Sequence, residues 1–325
     1  MLEIFNYDPS MKILVTGGAG FIGSHLSESL LKSGHEVTIL DNLSLGNASN
    51  LIHVSDKVNF TEGDIRDKML VNSLIENSDI VFHFAAALGV QNIINNTLES
   101  ISVNIEGSEV VLKSAANYNK QIVIASTSEI YGKNIKQPLN ELDDRVIGAP
   151  QVSRWSYSDA KAIEEHMAFA LAKSHGLKFI TIRFFNIVGP RQIGKYGMVV
   201  PRFVNQAIHN LPIEVYGNGN QKRVFCHVHD AVDALMKIMI KKDAYGDVFN
   251  LGGNQELSIL ELAVRIKHLT NSNSPIIFKE YGEIYSSGFE DMARRVPDIS
   301  KIQRIIDWEP LRNIDQIVND VVNLK

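Results

Sequence analysis

Short apolar runs alternate with helical patterns between residue 11 and about residue 185. The runs have the length and composition of buried strands: KILVTG, EVTILD, VNFTEGD, IVFHFAA, QIVIAST and FITIRFFN. Segments with helical periodicity, among them GSHLSESLLKSG and EGSEVVLKSAANYN, lie between them. Because strands and helices alternate, the pattern predicts an α/β fold with a doubly wound parallel sheet covered by helices on both faces.

The alternation loosens beyond residue 186. Shorter strand patterns (IEVYG, DVFNLGG and PIIFKEY) follow there, with helical patterns such as MVVPRFVNQAIHN, AVDALMKIMIKK and ELAVRIKHLT. We therefore predict two units. Residues 1–185 form a Rossmann-type domain whose first ten residues are a loose extension, and residues 186–325 form a smaller α/β lobe that binds substrate.

A glycine-rich segment, ILVTGGAGFIGSHL, joins the first predicted strand to the first predicted helix. Gly17, Gly20 and Gly23 recur at intervals of three, and positions without side chains let the backbone turn tightly and approach a pyrophosphate at the helix N-terminus. The strand-loop-helix context favours a dinucleotide site over a plain glycine turn. Phe21 and Ile22 of the same loop are predicted to contact the cofactor.

The second predicted strand ends in Asp41, where a carboxylate can accept the adenosine ribose hydroxyls. A carboxylate there would repel a 2′-phosphate, so the pattern predicts NAD rather than NADP. The next residue, Asn42, and the pair Asp64 and Ile65 at the end of the third strand are further predicted contacts. Asp64 as an ordinary strand-end cap is an equally simple interpretation.

Small residues follow the fourth strand, in FHFAAA. Ala85 and Ala86 permit the close approach of a ligand, so we expect the cofactor to pass over them. Tight packing of a helix against the sheet would require the same small residues.

A tyrosine and a lysine four residues apart, Tyr157 and Lys161, begin a long helical pattern in SRWSYSDAKAIEEHMAFALAKSHG. Both side chains then project from one helix face. A lysine ammonium beside a tyrosine stabilises phenolate, which can accept the proton of an alcohol while hydride leaves its carbon. Thr127, in ASTS at the end of the fifth strand, supplies a third hydroxyl and favours catalysis over chance surface spacing.

The chain resembles the extended short-chain dehydrogenases/reductases that modify nucleotide-diphosphate sugars. The resemblance covers residues 11–325 and is carried by TGGAGFIGSH, ASTSEIYG, YSDAK, RFFNIVGPRQ, GNQKRVFCHVHD, FNLGG and RRVPDISK. It implies that Thr127 hydrogen-bonds the sugar, that Tyr157 is the base, and that Lys161 also binds the nicotinamide ribose.

The same resemblance implies roles for residues in both halves of the chain. Asn186 would hold the diphosphate of the substrate, while Arg223 and Arg295 would clamp its phosphates, a task for which the planar guanidinium is suited. The resemblance further adds Asn104 and Phe184 to the cofactor contacts, and Ser128 and Val200 to the substrate contacts. The phenylalanine has the ordinary alternative of a core position.

Glu129 leaves the reaction open. The segment ASTSEIYGK is similar to GDP-mannose dehydratases, and STSE also resembles nucleotide-sugar decarboxylases, in which such a glutamate assists proton transfer or carboxylate loss. RWSYSDAK and RRVPDI resemble the decarboxylases, whereas GPRQIGKYGMVVPRF is widespread among epimerases. Our leading prediction is a nucleotide-sugar 4-epimerase with Glu129 as an additional catalytic residue. The alternatives are a 4,6-dehydratase, a UDP-uronate decarboxylase, a 4-dehydrogenase and a non-catalytic NAD sensor.

Composition and charge bear on the class of partner and on the cellular compartment. The 325 residues, 45% of them hydrophobic, can bury a large core, and a formal charge of -5 without a basic block argues against nucleic acid as a partner. We expect a cytoplasmic protein without a membrane partner, since apolar runs are short, the N-terminus lacks a signal-peptide pattern, and the single Cys226 cannot form an intrachain disulfide.

The sequence also leads to predictions about metal ions, the ligand and the oligomeric state. Cys226, His227 and His229 superficially resemble metal ligands, but alternation along a strand spreads them over two faces, so we predict no metal. The expected ligand is a UDP- or GDP-linked sugar. The family resemblance also implies a homodimer through helices near residues 107–118 and 157–174.

Overall fold

The computed structural model describes residues 10–194, 198–284 and 292–323; the predicted N-terminal extension lies almost entirely outside this part. The strands, in chain order, are β1 (Lys12–Thr16), β2 (Glu36–Asp41), β3 (Asn59–Glu62), β4 (Ile80–His83), β5 (Gln121–Thr127), β6 (Lys178–Phe185), β7 (Ile187–Val188), β8 (Ile213–Tyr216), β9 (Lys222–Val224), β10 (Cys226–His227), β11 (Asp247–Gly252), β12 (Glu256–Ser258), β13 (Ile276–Lys279) and β14 (Arg294–Arg295). The six strands predicted before residue 186 are all present.

The α-helices are α1 (Phe21–Lys32), α2 (Lys68–Glu76), α3 (Val90–Asn95), α4 (Thr97–Ser102), α5 (Ser108–Asn117), α6 (Trp155–His175), α7 (Val199–Ile208), α8 (Val228–Ile238), α9 (Ile259–Leu269), α10 (Tyr281–Ile284), α11 (Ser300–Ile306) and α12 (Ile314–Val322). Local signals fix several of their ends. Capping boxes begin α9, at Ser258, and α12, at Asn313, while α6 ends at the left-handed Gly176.

A seven-stranded parallel sheet in the order β11-β6-β5-β4-β1-β2-β3 forms the centre of the molecule. The chain winds outward from β1 in both directions, so the fold is the predicted Rossmann-type α/β fold. The strand order reverses between β1 and β4, and ligands of open parallel sheets bind outside the carboxyl ends of the strands at that point. The glycine loop after β1, the alanines after β4 and Thr127 at the end of β5 all lie at this edge.

One strand of the predicted second lobe belongs to the central sheet. β11 pairs in parallel with β6, with Phe249 opposite Ile182, and its Phe249 and Leu251 are fully buried. Without it, β6 would be an unpaired apolar edge. The chain therefore returns to the first domain after the predicted boundary at residue 185, which separates the two units less cleanly than expected.

The smaller lobe is built around a core of its own. Phe203, Val215, Leu262, Ile266 and Val318 are buried there, between α7, α9 and α12. In the three-stranded sheet β12-β9-β14, the parallel register places Arg295 directly opposite Arg223. The lobe thus brings together two arginines that are far apart in sequence.

A helix that crosses a bilayer needs about 20 predominantly apolar residues. Each helix within the described residues is too short or too polar to do so.

Candidate active site

A cavity of about 660 Å³ extends from the glycine loop, along the carboxyl ends of the strands, to the smaller lobe. It is lined by nearly all of the predicted site residues: Gly17, Gly20, Phe21, Ile22, Gly23, Asp41, Asn42, Ile65, Ala85, Ala86, Thr127, Ser128, Glu129, Tyr157, Lys161, Phe184, Asn186, Val200, Arg223 and Arg295. Asp64 and Asn104 are the two that do not line it. The structure therefore gathers the candidate cofactor and substrate residues into one site.

The glycine loop is shaped by contacts that exclude any side chain. Gly17 has a φ of +74°, and a Cβ on it would lie 2.6 Å from the backbone nitrogen of Ala85. A Cβ on Gly23 would lie 2.2 Å from the carbonyl oxygen of Gly17. The backbone can therefore fold tightly under the N-terminus of α1, which begins after Gly20. This is the cradle that a dinucleotide pyrophosphate requires.

Asp41 lies where the ribose acceptor was predicted. Its carboxylate is buried and accepts hydrogen bonds from the backbone nitrogens of Ala19 at 2.9 Å and Leu43 at 2.8 Å. Burial raises the pKa of this carboxyl, and the two hydrogen bonds oppose that shift. The loop thus holds the carboxylate at the cavity edge.

The hydroxyl groups of the predicted catalytic set come from two neighbouring elements. Thr127 ends β5, and its Oγ1 accepts the backbone N–H of Glu129 at 3.2 Å. Tyr157 and Lys161 lie one turn apart near the start of α6. All three line the cavity beside Phe184, whose ring packs edge-on against Phe84 at 5.9 Å.

Lys161 differs from its predicted behaviour. Its side chain is 1% exposed, and its Nζ donates a hydrogen bond of 2.6 Å to the buried carboxylate of Glu164. Burial, together with the negative charges of Glu164 and Glu129, raises the pKa of the Tyr157 phenol, instead of the predicted decrease caused by Lys161. Burial is the largest cause, and Glu164, which the sequence analysis missed, adds to it while it compensates the charge of Lys161.

Glu129 lies between two arginines. Arg154, the residue before α6, donates to its carboxylate at 3.2 and 3.4 Å, and Arg295 of β14 donates from the opposite lobe. Burial opposes ionisation, but the two guanidiniums outweigh it and lower the pKa of Glu129 to about 2. Arg295 also donates to Asn186 at 2.9 Å. The sequence analysis assigned no role to Arg154, although SRWSY places it three residues before Tyr157.

The comparison with known families rests on most of the chain. The sequence profile of the NAD dependent epimerase/dehydratase family matches residues 13–252, which include the glycine loop, Thr127, Tyr157 and Lys161. The chain belongs to this family. NAD is accordingly its cofactor, and two solved family structures similar to this chain contain NAD.

Among curated family members, the chain is similar to UDP-N-acetyl-alpha-D-glucosaminuronate decarboxylase of Bacillus cytotoxicus, with 38% identity over 96% of both chains. It is 33% identical to UDP-glucuronic acid decarboxylase 1 of Xenopus tropicalis, over 96% of this chain and 71% of that one. Among solved structures, UDP-glucose 4-epimerase of Thermotoga maritima superposes with a TM-score of 0.87 at 29% identity, covering 97% and 98% of the two chains. The chain is therefore an NAD-dependent nucleotide-sugar enzyme of the epimerase/dehydratase family.

Bound NAD would supply hydride-transfer chemistry. The residues that would hold it are the glycine loop with Asp41 and Asn42 on the adenosine side, and Phe184 and Lys161 on the nicotinamide side. Asp64 and Asn104 bind neighbouring groups of the protein. Asp64 pairs with Arg66 at 2.7 Å, and Asn104 both accepts from and donates to the backbone of Ala87 at 2.9 Å. Direct contact of either with the cofactor stays a prediction.

An aromatic surface in the smaller lobe was not predicted. Tyr216, Gln221 and Tyr281 line the far end of the cavity, with the Arg202 guanidinium 4.0 Å from the centre of the Tyr216 ring. Gln221 donates to the Tyr281 hydroxyl at 2.9 Å. Planar groups of this kind suit a nucleobase, but the sequence offers only isolated aromatics in separate segments.

The segment that contains Cys226, His227 and His229 contributes to packing and to the cap of a helix. Cys226 is fully buried, and His227 Nδ1 accepts the backbone N–H of His229 at 3.1 Å, which caps α8. Within the described ranges, no group of three or more histidine, cysteine or acidic residues is arranged to hold a metal ion.

Proposed function

We propose that the chain is an NAD-dependent UDP-uronic acid decarboxylase. Its curated relatives with 32 to 38% identity are described as UDP-N-acetyl-alpha-D-glucosaminuronate or UDP-glucuronic acid decarboxylases. These names supply both the UDP group and the uronic acid of the proposal. The predicted 4-epimerase is not confirmed by these relatives, although a solved UDP-glucuronic acid 4-epimerase of Bacillus cereus has a TM-score of 0.86 at 25% identity.

The observation that carries this proposal is the state of Glu129. Two guanidiniums hold its carboxylate, and its pKa of about 2 keeps it ionised. An ionised carboxylate cannot donate a proton, and one held this firmly by Arg154 and Arg295 is a weak base. A 4,6-dehydratase must remove the C5 proton and protonate a leaving hydroxyl. Glu129 is poorly suited to either task.

Decarboxylation needs neither proton transfer. Oxidation of C4 of a uronic acid produces a β-keto acid, because the C6 carboxylate is attached to C5, the carbon next to the new ketone. The C5–C6 bond then breaks, carbon dioxide leaves, and the electron pair moves into an enolate whose oxygen is on C4. The substrate itself therefore supplies most of the driving force for this step.

The chain's residues act at the C4 oxygen. Tyr157 accepts the C4 hydroxyl proton during oxidation, and the resulting phenol can donate to the enolate oxygen as carbon dioxide leaves. Thr127 lies at the same end of the cavity and can donate a second hydrogen bond. C5 then takes a proton from solvent. Bound NAD would supply the hydride chemistry at C4, and Tyr157 returns its proton to the C4 oxygen as the ketone is reduced. The net reaction consumes one proton and releases one carbon dioxide.

Substrate binding and assembly are part of the proposal. Arg223 and Arg295 would bind the diphosphate from the smaller lobe, with Asn186, Ser128 and Val200 around the sugar and Tyr216 near the base. For a homodimer, α6 offers the apolar side chains of Ile163 and Phe169, which are 41% and 45% exposed. Exposed apolar side chains of this size support a contact of α6 with a second copy.

The test uses turnover in deuterated water with UDP-glucuronate and UDP-N-acetylglucosaminuronate, each with NAD. We expect a UDP-pentose that has lost its carboxylate as carbon dioxide, a loss of about 44 mass units. The product should carry one deuterium at C5, because C5 is protonated from solvent after the C5–C6 bond breaks. Mass spectrometry and proton NMR read both changes. A C4 epimer that keeps its carboxylate and contains no deuterium would restore the epimerase, and a 4-keto product with stoichiometric NADH would indicate a dehydrogenase.

A further inference from the structure

A continuous hydrogen-bonded chain of buried side chains lies behind Lys161. The Lys161 Nζ donates to Glu164 Oε2 at 2.6 Å, and the Ser108 hydroxyl donates to Glu164 Oε1 at 3.0 Å. His83 joins the chain with Nε2 3.1 Å from Ser108 Oγ and Nδ1 2.8 Å from Thr16 Oγ1. Lys161 is 1% exposed and the other four residues are fully buried. The side chains of this chain are therefore shielded from bulk solvent.

Chemistry fixes the direction of every hydrogen in this chain. Burial raises the pKa of Glu164, and the Lys161 ammonium at 2.6 Å and the Ser108 hydrogen bond oppose that shift. As the carboxylate partner of that ammonium, Glu164 only accepts, so the Ser108 hydroxyl donates to it and Ser108 Oγ accepts from His83 Nε2–H. Burial and the charge of the nearby lysine lower the pKa of His83 to about 3, so the ring is neutral and its Nδ1 accepts from the Thr16 hydroxyl. Thr16 Oγ1 accepts the backbone N–H of Ala85 at 3.3 Å.

We propose that Glu164 is a positioning residue of the active site, which acts as the buried counter-ion of Lys161 and is itself fixed by the one-way chain from Thr16 through His83 and Ser108. The chain draws on β1, β4, α5 and α6 at once. It connects Lys161, at the catalytic end of the cavity, with the ends of β1 and β4. The glycine loop follows β1, and Ala85 follows β4. The position of the Lys161 ammonium is therefore set from the core side of the cavity.

The charge of Glu164 also acts on proton release. After burial, the negative charge of Glu164 is the next cause that raises the pKa of the Tyr157 phenol. Removing that charge therefore favours release at lower pH.

Other charges around the pair are compensated by partners of their own. Glu165, next on α6, is bound by Arg183 at 2.7 Å. Glu129 is bound by Arg154 and Arg295, and His83 of β4 is neutral. Glu164, in contrast, is paired with the catalytic lysine itself, so its removal changes the charge of the Tyr157 and Lys161 site directly.

The decisive variant is Glu164→Gln, which keeps the shape and removes the charge. The amide oxygen of the new glutamine accepts from Lys161, so its NH₂ group faces Ser108. The Ser108 oxygen must then accept a hydrogen bond from this NH₂ group. The Ser108 hydroxyl then donates to His83 Nε2, and the His83 proton moves to Nδ1. We expect this reversed tautomer, together with a shift of the acid limb of kcat/KM by about one pH unit toward lower pH.

Ser108→Ala is the matched control in the same buried cluster. It retains the Glu164 carboxylate, and His83 Nε2 already lies 3.3 Å from Glu164 Oε1. His83 should therefore keep its proton on Nε2, and the acid limb should stay at the wild-type pH. Loss of packing alone would affect both variants in the same way.

The tautomer is read from the ring nitrogen signals of ¹⁵N-histidine-labelled protein, with His83 identified as the signal lost in His83→Gln. This arm needs no substrate, so it is independent of the proposed reaction, whereas the pH arm rests on the role of Tyr157. A wild-type His83 protonated on Nδ1, or charged, would overturn the hydrogen-bonded chain, and this reading requires only that the His83→Gln variant folds. An unshifted acid limb in Glu164→Gln, or equal shifts in both variants, would overturn the charge effect.

Discussion

Replacing Tyr157 by phenylalanine is expected to lower kcat/KM for the UDP-uronate by 10²–10⁴-fold, the range typical of a lost general base. The phenyl ring still fills the cavity wall beside Lys161, so the affinity for NAD should stay within about threefold, since the hydroxyl contributes at most one hydrogen bond. Steady-state kinetics and calorimetric titration of NAD measure the two quantities on the same preparation.

Tyr118→Phe is the control for this prediction. Tyr118 follows α5 and does not line the cavity, so its variant should keep wild-type turnover. If Tyr157→Phe retained more than about a tenth of the wild-type kcat/KM, the tyrosine would not be the base. A parallel loss of NAD affinity would indicate a structural defect instead.

Replacing Glu129 by glutamine is expected to lower kcat/KM about 10²-fold, the size of effect that accompanies a misplaced reacting group. The carboxylate joins the buried Arg154 of the first domain to the half-buried Arg295 of the smaller lobe, and its loss leaves the two guanidiniums without their shared anion. Both line the cavity that contains Thr127. Kinetics with the UDP-uronate, alongside thermal unfolding, measures the effect.

Glu256→Gln offers a matched control because Glu256 pairs with Arg294, the neighbour of Arg295, at 2.6 and 2.7 Å. That ion pair is partly exposed and does not line the cavity, so its loss should change kcat/KM less than about twofold. Equal losses in the two variants would show that Glu129 has no special role in the active site.

Local patterns accounted for the parts of the fold that depend on neighbours in sequence. The strand before the glycine loop, the helix that presents Tyr157 and Lys161 on one face, and Asp41 at the end of β2 are all encoded in short segments. The return of β11 to the sheet is different, because DVFNLGG has the same apolar pattern whether it pairs with β6 or with a strand of the smaller lobe.

The site chemistry that sequence reasoning missed arises from contacts between distant segments. Arg295 meets Glu129 only because β14 pairs with β9, and Glu164 meets His83 only because α6 packs beside β4 and α5. The pKa of Tyr157 is raised mainly by burial, and the negative charges of Glu164 and Glu129 add to that shift. The pairing of Lys161 with Glu164 is local by contrast, since the two lie three residues apart on α6, but the sequence does not reveal that both are buried.

Reaction fate was ambiguous for a chemical reason. Epimerases, dehydratases and decarboxylases all begin by oxidising C4, so Thr127, Tyr157 and Lys161 indicate that shared step and nothing after it. The later steps depend on the substituent at C5, which belongs to the substrate. The arginine-bound Glu129, with the decarboxylase relatives, now favours loss of a carboxylate.

The most direct test of this account follows the C6 carbon itself. UDP-glucuronate and UDP-N-acetylglucosaminuronate labelled with ¹³C at C6 are incubated with enzyme and NAD, and the label is followed by ¹³C NMR. The account predicts that the label of at least one substrate appears in carbon dioxide and bicarbonate, in step with formation of an unlabelled UDP-pentose and without net NADH. Turnover that leaves the label in a C4 epimer would contradict it.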